Sequence, residues 1–116
     1  MCLRVSSLSH QSLKELALRY FRQKGYNVES DVSLEGSSGM VERFDIVISK
    51  NDLRHPVRIM DWKRTIGVNM VIKMDKAAYD VGLGGPILVA EKFSDHAKAY
   101  ANRRGVTLVS RRDIVP

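Results

Sequence analysis

Two apolar runs decide the fold: Val41-Glu42-Arg43-Phe44-Asp45-Ile46-Val47-Ile48-Ser49 and Val57-Arg58-Ile59-Met60-Asp61-Trp62-Lys63. Both are rich in Val, Ile and Phe, which suit a pleated, half-buried surface. The polar run Lys50-Asn51-Asp52-Leu53-Arg54-His55 separates them, so they read as the arms of a hairpin. Pro56, which has no amide to donate, suits the start of the second arm. Side chains alternate between faces along a strand, so Asp61 and Lys63 share one face. With Leu53 as the centre of the connection, positions 45 and 61 are mirror-related, and directly opposed Cβ atoms lie about 4.5–5.5 Å apart. The spacing therefore predicts Asp45 facing Asp61 across the hairpin, with Lys63 beside them and Arg43 on the Asp45 face.

Working outward, Leu13, Leu16, Ala17, Tyr20 and Phe21 have the period of an amphipathic helix that starts near Ser9 to Ser12 and ends in a left-handed cap at Gly25. Tyr26 to Ser33 is strand-like, and Glu35-Gly36-Ser37-Ser38-Gly39 reads as a flexible loop. Downstream, Val68 to Val81 is helical, and Gly82-Leu83-Gly84-Gly85 breaks it before the strand Pro86 to Ala90. Ser94 caps a further helix that runs to Gly105, and Val106 to Val109 is the last strand. The order αβββαβαβ implies an α/β fold with a mixed sheet covered on both faces. With no repeat, low-complexity tract or linker, residues 1–116 read as a single domain.

Composition limits the partners. The chain has 116 residues, 44% hydrophobic, enough for one core. Its formal charge of +6 favours a polyanion. The single Cys2 excludes an internal disulfide, and His10, His55 and His96 are too scattered for a zinc site, so a reducing cytoplasm is expected. The first residues lack the apolar core of a signal peptide and no stretch approaches a membrane span, so a soluble protein is expected.

Two neighbouring carboxylates in an apolar sheet repel each other. A hard cation, Mg²⁺ or Mn²⁺, relieves that repulsion, polarises a phosphoryl oxygen and lowers the pKa of a bound water. The Lys63 ammonium can orient that water or stabilise charge developing on phosphorus-bound oxygens. The bland alternative is that Asp45 and Asp61 form ordinary ion pairs with Lys63 and Arg43, but charged residues are rare in strands this apolar.

These residues resemble the PD-(D/E)XK nuclease superfamily, and most closely Mrr-type restriction endonucleases and archaeal Holliday junction resolvases. The likeness runs from Gly25-Tyr26-Asn27-Val28 through Phe44-Asp45-Ile46-Val47 and Asp61-Trp62-Lys63. It continues into Pro86-Ile87-Leu88-Val89-Ala90, Phe93-Ser94, Ala97-Lys98-Ala99-Tyr100-Ala101 and Gly105-Val106-Thr107-Leu108-Val109. It implies a restriction-endonuclease-like fold in which Asp45, Asp61 and the Trp62 carbonyl hold the metal and Lys63 is catalytic. The family's first-helix glutamate has Glu15 as its candidate here. By hydrophobic register that position falls nearer Lys14, and Glu15 can instead cap the helix with Ser12 or pair with Arg19. Phe44 stands where the family has proline. Trp62, facing away from Asp61, reads as core beneath the site. Lys73 and Lys76 on the following helix are candidate phosphate contacts, and the pairs Arg103-Arg104 and Arg111-Arg112 could extend a basic surface.

The expected function is metal-dependent hydrolysis of DNA phosphodiesters, on branched or junction DNA among other substrates, by a homodimer. The alternatives are a non-catalytic nucleic-acid-binding module or nuclease-complex subunit with the same fold, and an RNA-processing nuclease working without metal.

Overall fold

The computed structural model of the protein describes residues 12–115. Helix α1, Leu13–Gln23, begins with a reciprocal cap: the Glu15 amide donates to Ser12 Oγ (3.2 Å) and the Ser12 amide to Glu15 Oε1 (3.3 Å). It ends at Gly25, whose φ of 89° only glycine adopts without strain. The Tyr26 amide then reaches the Phe21 carbonyl (3.1 Å), and the Phe21 and Tyr26 rings meet edge-on. The remaining elements are β1 (Asn27–Glu35), β2 (Val41–Lys50), β3 (Leu53–Ile66), α2 (Val68–Val81), β4 (Ile87–Phe93), α3 (Asp95–Arg104), β5 (Thr107–Ser110) and a short α4 (Arg111–Ile114).

The expected order holds, with α4 added at the end. The five strands lie in the order β1-β2-β3-β4-β5, antiparallel from β1 to β3 and parallel from β3 to β5. Helices α1 and α4 cover one face, where Leu13, Phe21 and Ile114 pack on Ile46, Val57 and Val89. Helices α2 and α3 cover the other, with Val71 and Ala101 on Leu88 and Ala90, and Met74 on Phe44 and Val47.

The hairpin register differs from the expectation. The connection is not the polar run 50–55 but the two residues Asn51 and Asp52, both left-handed (φ 53° and 68°), closed by the pair Lys50↔Leu53. Asn and Asp tolerate this region better than other non-glycine residues, and a two-residue hairpin turn of this twist requires it. The centre of symmetry therefore moves toward the N-terminus, Ile46 pairs with Val57, and Asp61 is not opposite Asp45. Pro56 lies inside β3 rather than at its start. It faces Val47 between hydrogen-bonded pairs, and β4 begins pairing only at Val57, so no ladder bond is lost.

The β1–β2 hairpin also changes face along its length. Val28 and Ile46 pack toward α1, whereas Val32, Leu34 and Phe44 pack toward α2, although these positions all have the same parity. The exchange falls at Asp31, left-handed at φ 54°, between the pairs Ser30↔Ile46 and Val32↔Phe44. Asp45 lies across from it.

The Gly36–Gly39 connector is tethered rather than loose. Asp80, near the end of α2, accepts from the Ser38 hydroxyl (2.7 Å), the Ser38 amide (3.0 Å) and the Ser37 hydroxyl (3.2 Å). A Cβ at Gly36 would overlap that carboxylate. The Ser38 hydroxyl and amide, with a smaller contribution from the Ser37 hydroxyl, hold the Asp80 carboxyl below its ordinary pKa.

A carboxyl with a depressed folded pKa contributes stability that is present above the unfolded value of about 3.9 and lost as pH falls through the folded value. Asp80→Asn should therefore be less stable than the parent at neutral pH, with the gap in urea midpoint closing below about pH 4. At the hairpin turn, Asp52→Val should lower stability by about 1–3 kcal/mol in urea melts, because a β-branched residue resists positive φ, whereas Asp52→Gly should not.

Candidate active site at the ends of the parallel strands

Strand β3 leaves β2 after Val57 and β4 at the acidic-x-lysine run. In a two-residue hairpin closed at Lys50↔Leu53, alternate pairs are hydrogen-bonded, so Ile48↔His55 and Ile46↔Val57 should be followed by Phe44↔Ile59. Pairing stops at Val57. The Ile59 amide donates instead to Asp45 Oδ2, at 2.8 Å. On the other edge, β3 pairs with β4 from Val57↔Ile87 to Met60↔Ala90 and resumes at Thr65↔Lys92. Four residues, Asp61 to Arg64, thus face the single residue Glu91. The extra residues bulge outward, and bulges of this kind re-aim side chains at strand ends.

Consequently Asp61, Trp62, Lys63 and Arg64 are all exposed. Trp62 is not core beneath the site: it is 42% exposed, and the Arg64 guanidinium lies 4.8 Å from its ring centre. A regular strand would have buried it. Lys63 makes no hydrogen bond or ion pair with another described residue.

The first turn of α1 touches two acidic strands. The Leu13 amide donates to Asp61 Oδ2 (3.3 Å), and Lys14 Nζ pairs with Asp31 Oδ1 (2.9 Å). Asp45 lies on the strand between them. A helix N-terminus presents amides without intrahelical partners and a partial positive charge, so it favours a carboxylate there.

A residue row across the parallel strands completes the surroundings. Met60, Ala90 and Ser110 are register partners, and Asp61, Glu91 and Arg111 follow them directly. Arg111 Nε donates to Glu91 Oε2 and Oε1 (2.8 and 3.1 Å), and Nη2 lies 3.7 Å from Asp61 Oδ1. The sequence reading missed Glu91 altogether and took Arg111 only as surface charge. The available signal was a lone carboxylate directly after the apolar run Ile87 to Ala90, at the strand end where ligands of parallel sheets bind.

The remaining candidates are dispersed. Glu15 is engaged in the Ser12 cap and exposed. Arg43 is exposed, and its carbonyl accepts from Arg58 Nε. Lys73 and Lys76 line a groove with Glu42, Arg58 and Tyr79 against α2, across the sheet from Asp61. Arg104 pairs with Asp75 (3.0 Å).

Among the described residues no group of three or more His, Cys, Asp or Glu could hold one ion. The two-carboxylate set still has the donors a hard cation needs. Asp45 Oδ1 has no partner among the described residues, and Asp61 Oδ1 faces only a guanidinium beyond hydrogen-bond length.

A restriction endonuclease family model, that of the Mrr catalytic domain, matches residues 5–116, and the chain belongs to that family. No curated protein matches it. Among solved structures it is similar to AF1548, a protein of unknown function (TM-score 0.73, 19% identity, covering 82% of this chain and 54% of that one). It is also similar to a repair endonuclease from Pyrococcus abyssi (0.60, 17%, 86% and 46%). A third is Can2 from Sulfobacillus thermosulfidooxidans, solved with cyclic tetra-adenylate (0.61, 14%, 88% and 30%). The chain therefore spans about half or less of these proteins, and at such identities the likeness is one of fold. Among the described residues no helix is long and apolar enough to cross a membrane.

If Asp45 replaces a ladder acceptor, Asp45→Ala should leave the Ile59 amide without a partner and cost about 1.5–3 kcal/mol, the range for a hydrogen bond to a charged group. Amide exchange at Ile59 should accelerate in that variant and stay slow in Asp45→Asn, which keeps an acceptor oxygen.

Proposed function

We propose that the protein is a metal-dependent endonuclease that hydrolyses DNA phosphodiesters at Asp45, Asp61 and Lys63. The observation that carries this reading is the parting of β3 from both neighbours at Asp45 and Glu91, which exposes Asp61 and Lys63 at the strand ends within a member of a restriction endonuclease family. Mg²⁺ or Mn²⁺ would be held by Asp45 and Asp61, with the Trp62 carbonyl as a further oxygen, and would polarise a phosphoryl oxygen and acidify a water.

The chain's own residues supply the rest. The Ile59 and Leu13 amides orient the two carboxylates. Lys63 presents its ammonium to the scissile phosphate, where it orients the attacking water and stabilises charge on the non-bridging oxygens. Exposed Arg43 and Arg64, on a chain of charge +6, offer phosphate contacts that need no base readout. Lys73 and Lys76 would meet a different stretch of the substrate, or none. Glu15 is left out because its carboxylate closes the α1 cap. Cutting both strands of a duplex or a junction calls for two such sites, which a homodimer would supply.

The test uses linear, flapped and four-way DNA and RNA, with Mg²⁺ or Mn²⁺ and with chelator. DNA cleavage should require the cation, and Asp45→Asn, Asp61→Asn and Lys63→Ala should each lower its rate about 10²-fold or more while DNA binding persists. Binding without cleavage in every condition would leave the non-catalytic reading. Chelator-resistant cutting of RNA would favour the metal-independent one.

A further inference from the structure

The residues that follow Met60, Ala90 and Ser110 bring two carboxylates and a guanidinium together where β3 bulges from β4 and β5 ends. One guanidinium, that of Arg111, lies within 3.7 Å of Asp61 and 2.8 Å of Glu91, so the two carboxylates would repel each other without a cation between them. Arg111 is built into the fold where it can serve as that cation. It opens α4, whose Ile114 is buried in the core, and the Ser110 amide donates to Asp113 (2.8 Å) to fix the same turn.

Its contacts with these two carboxylates are unequal. Nε lies 2.8 and 3.1 Å from the Glu91 oxygens, whereas Nη2 is 3.7 Å from Asp61. The first is a charge-assisted hydrogen bond and the second only an ion pair.

We infer that Arg111 is a positioning residue and resident counter-cation of the site, clamped on Glu91, that yields Asp61 to an incoming divalent cation while keeping Glu91. The inference rests on the metal-dependent reading above and deepens it by assigning control of cation affinity. Glu91 is then not a ligand but the anchor that limits how strongly Arg111 competes for Asp61. The two residues act on cation affinity in opposite senses: removing the Arg111 charge takes away a competitor, and removing the Glu91 charge takes away the anchor that holds Arg111 Nε off Asp61. A prop that merely holds the strands together would give both substitutions the same sign.

The experiment is Mn²⁺ binding by titration calorimetry and by the spin-resonance signal of unbound Mn²⁺, on the full chain without DNA. Arg111→Gln should tighten binding about tenfold and Glu91→Gln should weaken it about tenfold, within the range for residues that act through a metal ligand. The double variant should return to within a few-fold of the parent, and it keeps the test open if either single variant folds poorly. Changes of one sign in both single variants, no change in either, or a double variant far from the parent would overturn the inference. Asp61→Asn separates this from failure of the underlying reading: a parent that binds no Mn²⁺, or binds it equally well without the Asp61 carboxylate, overturns the metal site and the inference together.

Discussion

The 2.8 Å bond from the Ile59 amide to the Asp45 carboxylate is the constraint on which the site depends. A strand between two others must satisfy its amides on both edges, and an unpaired one costs about 1–3 kcal/mol when shielded from water. At Ile59 the side chain of Asp45 takes over from the backbone of β2, so β3 separates from the hairpin without orphaning a donor. On the other edge the bulge opposite Glu91 releases four residues from β4 at once. Only because both edges are released there does the run Asp61 to Arg64 stand in solvent, where a polymer substrate could reach it.

The charges around this point differ in weight. The Lys14–Asp31 pair is largely exposed and, like most surface ion pairs, contributes about 0–1 kcal/mol. The contacts that fix geometry are those with a backbone or core anchor: Asp45 on the Ile59 amide, Asp61 on the first turn of α1, and Glu91 on an arginine whose helix is packed into the core through Ile114. The site thus draws on three strands and two helices, converging where β3 bulges from β4 toward the C-terminal ends of the parallel strands. That convergence is the usual reason for ligand sites at this edge of an α/β sheet.

Much of the architecture was legible along the chain. The period of Leu13, Leu16, Ala17 and Phe21, the apolar runs at 41–49, 57–63 and 86–90, and the breaks at Gly25, Gly82 and Gly105 are local signals, and each corresponds to an element or its end. The residues of the hairpin turn were also present in the sequence, but Asn-Asp is a weaker turn signal than Asn-Gly, and the polar tract to His55 masked it. The misplaced centre then paired Asp45 with Asp61, because register errors propagate along the whole hairpin.

By itself, the sequence determined the αβββαβαβ order, the membership of Asp45, Asp61 and Lys63 in neighbouring strands, and the basic charge, since these follow from periodicity and composition. Tertiary structure alone decided how those residues meet. It replaced a mirror pair across a hairpin by a carboxylate capping the Ile59 amide and a bulged run beside it. It engaged Glu15 in a helix cap, turned Trp62 outward, and brought Glu91 and Arg111 to Asp61. The physical reason is that register, bulges and lateral rows across parallel strands are set by which backbone groups find partners on neighbouring strands, and residues 61, 91 and 111 become neighbours only once the sheet exists.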